Sequence, residues 1–263
     1  MTSFKILGTS AGPGVPAFYC NCSGCLEARQ NPKLARTRTS AFLDAGTNKI
    51  LIDAGPDIRS QLIKESIPEI DTIFLTHWHA DHFSGLDEFE FYVRLHTCEP
   101  IFLYMPASAV AEFERTYPDL HDIFCIIPWE YQQKYTFADI SITPLPANHG
   151  VETAGFLVES QHCRIAYFPD TAGLPDTSVS TLQNVDYLFC DATFHGENWY
   201  PESHMSVEQA VALSHTVKAK KTFLTHLAMH YSTPVTTEKL IEELVDEADI
   251  NIAYDGLHIL IEE

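Results

Sequence analysis

The chain is short of long apolar runs, of cations and of a paired set of cysteines. No stretch reaches the roughly eighteen uninterrupted apolar residues that a membrane-crossing helix needs, so no membrane partner is expected. The start, MTSFKILGTSAG, shows no basic stretch followed by an apolar core and a cleavage site, which predicts a cytoplasmic protein. Lys and Arg number 16 against 36 Asp and Glu, a net charge of −20 in 263 residues, and no basic run stands out. Such a chain repels long phosphate backbones, so a long nucleic acid is not an expected partner. A small anionic substrate stays open, because bound cations can reverse the local sign. Seven cysteines, an odd number without a secretory signal, do not suggest a disulfide framework.

What is present reads as an α/β chain. Strand-like runs include FKILGT, SAFLDA, KILIDAG, TIFLTH, IFLYM, ISITPLP, AGFLVES, RIAYFPD, DYLFCDAT, KTFLTH and NIAYDGLHILIE. Helical periodicity marks PDIRSQLIKES, GLDEFEFYVRLH, SAVAEFERTY, SVEQAVALSHTV and TTEKLIEELVDEA, with SVEQ as a capping box. Two segments read as hairpins: AGFLVESQHCRIAYF, and NIAYDGLHILI through its Asp-Gly turn. Two mixed sheets face to face, with helices outside, fit this mixture. With no linker or repeat, residues 1–263 read as one domain, and a homodimer is the default assembly.

The chemistry gathers at strand ends. In THWHADHFSG, His77, His79, Asp81 and His82 follow an apolar strand. His149 follows ITPLPAN, Asp170 follows IAYFP and His226 follows TFLT. Imidazole and carboxylate at this density suit zinc or a similar divalent ion. His96, His121, His162, His215 and His258 stand alone and read as surface or packing residues, and Cys190 as a buried strand residue.

THWHADH resembles the H-x-H-x-D-H signature of the metallo-β-lactamase superfamily, with NHG, PDTAG and LTH supplying the remaining motifs. The resemblance spans essentially the whole chain and implies an αββα sandwich. It implies that His77, His79 and His149 hold one metal, that Asp81, His82 and His226 hold a second, and that Asp170 bridges them. It assigns Asp53 of LIDAG to support the ligand loop. Two divalent ions, zinc or manganese, would then hold a hydroxide that attacks an electrophilic centre.

A narrower likeness lies in GTSAGPGVPAFYCNCSGC. This Gly-rich start and C-x-C-x-x-C triplet resemble the cyclic-phosphate phosphodiesterases of the phosphonate pathway (PhnP type). The likeness implies a structural zinc on Cys20, Cys22, Cys25 and a late histidine, in an N-terminal loop at about residues 9–30. His230 offers that histidine, one residue further from His226 than in the family. Three thiolates and one imidazole make a closed tetrahedral set. The likeness also gives His204 of ESHMSVEQA the role of general acid, with His195 a weaker candidate for that place. The implied substrate is a small cyclic phosphodiester, such as 5-phosphoribosyl 1,2-cyclic phosphate or a 2′,3′-cyclic nucleotide. The alternatives are thioester or lactone hydrolysis, a pyrroloquinoline-quinone biosynthesis B-like protein, and a zinc-stabilised scaffold without turnover. The intact HWHADH speaks against the second, and seven catalytic-site ligands against the third.

Overall fold

A computed structural model describes residues 2–262. Fourteen strands form two seven-stranded mixed sheets. The first contains β1 (Thr2–Gly8), β2 (Ser40–Ala45), β3 (Asn48–Ile52), β4 (Thr72–Phe74), β5 (Ile101–Met105) and β6 (Phe124–Pro128). The second contains β7 (Tyr135–Phe137), β8 (Ile140–Pro146), β9 (Ala154–Glu159), β10 (Arg164–Phe168), β11 (Tyr187–Asp191), β12 (Lys221–Thr225) and β13 (Ile250–Ile252). The last strand, β14 (His258–Glu262), returns to pair antiparallel with β1. The helices are α1 (Ser23–Gln30), α2 (Ile58–Lys64), α3 (Ala80–Phe83), α4 (Glu90–Tyr92), α5 (Val110–Thr116), α6 (Asp176–Thr181), α7 (Val207–Val217) and α8 (Thr237–Glu243).

Side-chain alternation builds the layers. Ile50 and Ile52 of β3, Phe74 of β4, Phe156 and Val158 of β9, Ile165 and Tyr167 of β10 and Phe189 of β11 meet in one core between the sheets. Their neighbours point the other way. Leu51 and Ile73 join the core behind the first sheet. Leu157, Ala166, Phe168, Leu188 and Cys190 join the core behind the second. Strands apolar on both faces need cover on both, and helices supply the outer cover. The expected αββα sandwich is therefore the fold, and Cys190 is the packing residue it was read to be.

Each sheet runs antiparallel at one end and parallel at the other. In the first, β3, β4, β5 and β6 are parallel. In the second, β10, β11, β12 and β13 are parallel. AGFLVESQHCRIAYF is a hairpin, β9 against β10. NIAYDGLHILI is not. Its halves belong to different sheets, β13 beside β12 and β14 beside β1. Asp255 there accepts bonds from Thr9 Oγ1, Thr37 N and Thr37 Oγ1, each at 2.7 Å, so long-range contacts fix the corner. Gly256 adopts φ +98° and donates its N–H to Ile6 O. SVEQ does form a capping box at α7, with Ser206 and Gln209 bonded reciprocally.

Candidate metal centre and hydrolytic site

The site lies where strands of both sheets end. Asp53 follows β3, His77 to His82 follow β4, His149 follows β8, Asp170 follows β10, and His226 follows β12. Carboxyl ends of parallel strands are where open sheets hold ligands. Two of these residues, Asp53 at φ +62° and His226 at φ +55°, take a left-handed backbone that costs a non-glycine residue energy. Between His77 and His79, Trp78 turns away and stacks on Phe83 at 3.7 Å. That leaves both imidazoles aimed at the cluster.

Two sets of donor atoms result. In the first, His79 Nδ1 lies 3.0 Å from His77 Nε2 and 3.1 Å from His149 Nε2, and His77 Nε2 is 3.4 Å from Asp170 Oδ2. In the second, Asp81 Oδ2 is 3.6 Å from both His82 Nε2 and His226 Nε2. Asp170 Oδ2 reaches those same nitrogens at 3.5 and 3.7 Å, so one carboxylate oxygen faces both sets. Donors bonded to one tetrahedral ion at zinc distances lie about 3.3–3.6 Å apart; the second set matches this at 3.5–3.7 Å, and the histidines of the first stand slightly closer, at 3.0–3.1 Å.

The far nitrogens are anchored. Thr76 Oγ1 holds His77 Nδ1 at 2.9 Å, and Asp53 Oδ2 holds His82 Nδ1 at 2.7 Å. The Ser203 carbonyl holds His149 Nδ1 at 2.7 Å, and Thr193 Oγ1 holds His226 Nδ1 at 2.9 Å. Such partners fix the tautomer and aim of a metal-binding imidazole. Asp53, read from the resemblance as support for the ligand loop, lies against His82.

Whether cations fit can be judged from the donors themselves. His82 Nε2 and His226 Nε2 are buried without a hydrogen-bond partner, and an orphaned buried polar atom costs roughly 1–3 kcal/mol. Both belong to the second set, and a divalent ion there would satisfy them. Electrostatics agrees. Burial opposes the charge on Asp81 and Asp170, yet the surrounding histidines hold both carboxyls far below the usual carboxylate range. Burial, helped by the nearby charges of His82 and His149, drives His77 well below its ordinary value despite Asp170. Every ion pair among the described residues of this cluster joins a histidine to an aspartate.

Asp191, at the end of β11, went unread in the sequence. It is fully buried, and Oδ1 accepts from Thr193 N at 2.9 Å and Met205 N at 3.0 Å. Its Oδ2 lies 3.0 Å from Thr193 Oγ1 and 3.1 Å from His204 Nδ1. His204 Nδ1 also lies 2.9 Å from Asp170 Oδ1. Burial lowers the pKa of His204, but its hydrogen bonds to Asp170 and Asp191 prevail and raise it to about 10. The one signal in the sequence is that Asp191 closes an apolar strand, YLFCD, as Asp53 closes KILID, a pattern that many loop entries share.

His195 is not in the cluster. Its ring bonds the Thr233 carbonyl at 3.0 Å and Glu243 Oε2 at 2.8 Å, pinning its loop to α8. Cys20, Cys22 and Cys25 do converge, their sulfurs within 4.8 Å of one another. His230 Nδ1 lies 3.9 Å from Cys25 Sγ, at the edge of the triplet. Burial pushes the Cys25 thiol up to about 12, whereas hydrogen bonding around Cys22 lowers Cys20.

A two-sheet sandwich with a histidine and aspartate cluster at the strand ends defines a hydrolase of the metallo-β-lactamase type. The chain belongs to the β-lactamase superfamily: the sequence model described as "Beta-lactamase superfamily domain" matches residues 48–227. Its fold is similar to that of a diphosphatase of the PhnP family, at 28% identity and a TM-score of 0.86, covering 100% of this chain and 98% of that one. An octanoyltransferase of Porphyromonas gingivalis is 27% identical over 98% of this chain and 51% of its own length. The chain thus spans about half of that relative. Coenzyme PQQ synthesis protein B of Nitrosococcus oceani is 24% identical over 97% of this chain and 99% of its own.

Proposed function

We propose that the protein is a dinuclear phosphoric diester hydrolase that opens small cyclic phosphodiesters. The single observation behind this reading is the position of His204. It sits against Asp170, the carboxylate shared by both donor sets, and against Asp191 on its other side. Likeness to a PhnP-family diphosphatase supports phosphorus rather than carbon as the centre attacked. Zinc or manganese in the two sets would supply a nucleophile near neutral pH and neutralise charge on the phosphate oxygens. The residues of the chain do the rest. His77, His79 and His149 on one side, and Asp81, His82 and His226 on the other, would hold the two ions, with the Asp170 carboxylate facing both sets. His204, oriented through Nδ1, presents Nε2 to protonate the departing alkoxide. Cys20, Cys22, Cys25 and His230 take a structural zinc that stiffens the loop beyond β12. The reading takes a small anionic diester as substrate, in the cytoplasm, with a homodimer as the assembly.

The test pairs metal analysis with turnover of bis(p-nitrophenyl) phosphate and 2′,3′-cyclic AMP. Wild type should carry three ions per chain. Asp81→Ala should lose one and nearly all activity. His204→Ala should keep its ions and slow by roughly 10²- to 10⁴-fold. Turnover of an acyl thioester with none of either phosphodiester would overturn the proposal.

A further inference from the structure

Beside His204 lies a group of aromatic side chains that the hydrolytic chemistry does not use. Phe194 is fully buried and forms the floor, its ring 6.1 Å from the His204 ring. Tyr231 lies nearly parallel to it at 5.8 Å, Trp199 at 6.1 Å and Tyr200 at 6.3 Å. Trp199 and Tyr231 face each other at 5.9 Å and 33°. Trp199 is 51% and Tyr200 60% exposed, a large apolar area left in water next to a buried ionic cluster.

The loop that presents these rings is held firmly. Asn198 donates to the His204 carbonyl at 2.7 Å and accepts from Tyr200 N at 2.9 Å. The Tyr200 carbonyl accepts from the N–H groups of Ser203 and His204, both at 2.9 Å. Ser203 in turn anchors His149. Aromatic surface fixed in place binds at a small entropic cost.

We infer that Trp199, Tyr200 and Tyr231 form a stacking subsite for the nucleobase of a nucleotide substrate. The inference deepens the phosphodiester reading and rests on it. Planar rings with polar tips suit a flat heteroaromatic base better than a flexible aliphatic chain. Among the described residues the cluster's ion pairs include no lysine or arginine, and the aromatic group offers a contact of another kind. Stacking a base on an aromatic side chain supplies roughly five- to hundredfold in affinity.

The experiment compares kcat/KM for 2′,3′-cyclic AMP with that for base-free 5-phosphoribosyl 1,2-cyclic phosphate in wild type, Trp199→Ala, Tyr200→Ala and Trp199→Phe. The ratio should fall about tenfold in each alanine variant, through KM, and largely recover in Trp199→Phe. AMP should quench the tryptophan fluorescence of wild type but not of Trp199→Phe. A ratio unmoved by both alanine variants overturns the subsite while leaving the phosphodiester reading intact, as does quenching by octanoate in place of AMP. If wild type opens neither cyclic substrate, the phosphodiester reading fails, and the AMP titration alone decides the subsite.

Discussion

Asp191 shows how much one carboxylate can carry. Its two oxygens accept from three backbone N–H groups, a hydroxyl and His204, all in a fully buried place. Asparagine keeps the shape but turns one oxygen into an NH₂ donor, which must then face groups that are donors themselves. Asp191→Asn should therefore lower kcat/KM by roughly 10- to 100-fold while metal content stays at the wild-type value, since His204 loses its orientation and the donor sets do not. Steady-state kinetics beside metal analysis checks this, and loss of an ion would show that Asp191 is itself a ligand. The metal-binding side chains were legible because histidines and aspartates at strand ends have few other uses. Asp191 and Thr193 were not, because a lone acid after an apolar run looks like any loop entry until the strand beside it brings His204 and His226 close.

An ion on the cysteine triplet would stabilise the N-terminal loop. Residues 9–11 pair with Leu227, one residue past His226. Gly24 lets α1 approach so closely that a Cβ there would lie 2.5 Å from the Val235 carbonyl. An ion at a thousand times its Kd adds about 4 kcal/mol, or roughly 8–16 °C in Tm for a chain near this size. Cys22→Ala should lose only the structural ion and show a fall of that order in a thermal melt, with the catalytic ions retained. A second element-level prediction concerns Asp186, which joins the starts of β10, β11 and β12. It accepts from Arg164 N and Lys220 Nζ, each at 2.7 Å. Burial raises its pKa, but these partners prevail and hold it below the ordinary carboxylate value. A carboxyl depressed in the folded state contributes stability above its unfolded pKa, near 4, and loses it as pH falls through the folded pKa. Urea midpoints should drop below about pH 4 in wild type, and Asp186→Asn should flatten that part of the curve. Elements with strong local periodicity were readable in advance. The exposed α1 and α6, and the short β6 and β7, went unread because their residues alternate weakly. The Asp-Gly corner misled because its partners are Thr9 and Thr37, more than two hundred residues away.

At the scale of the whole molecule, two parallel half-sheets deliver their strand ends to one edge, and the site draws on both. The sandwich follows from strands that are apolar on both faces, while the choice of strand neighbours depends on contacts that no local pattern records. Charge acts at this scale too. The chain carries −20, and a bound pair of cations offsets that only close to the donor sets. An anionic diester approaching from solution therefore meets a repulsive field that reaches about 30 Å at 0.01 M salt and about 8 Å at 0.15 M. Raising KCl from about 0.01 to about 0.15 M should lower KM for 2′,3′-cyclic AMP roughly two- to fivefold and leave kcat unmoved, because screening eases approach without touching the chemistry. Most proteins that bind phosphates through lysine and arginine weaken in salt, so the sign alone is informative. A KM that climbs with KCl would mean that the cations, and not the acidic surface, set the field the substrate meets.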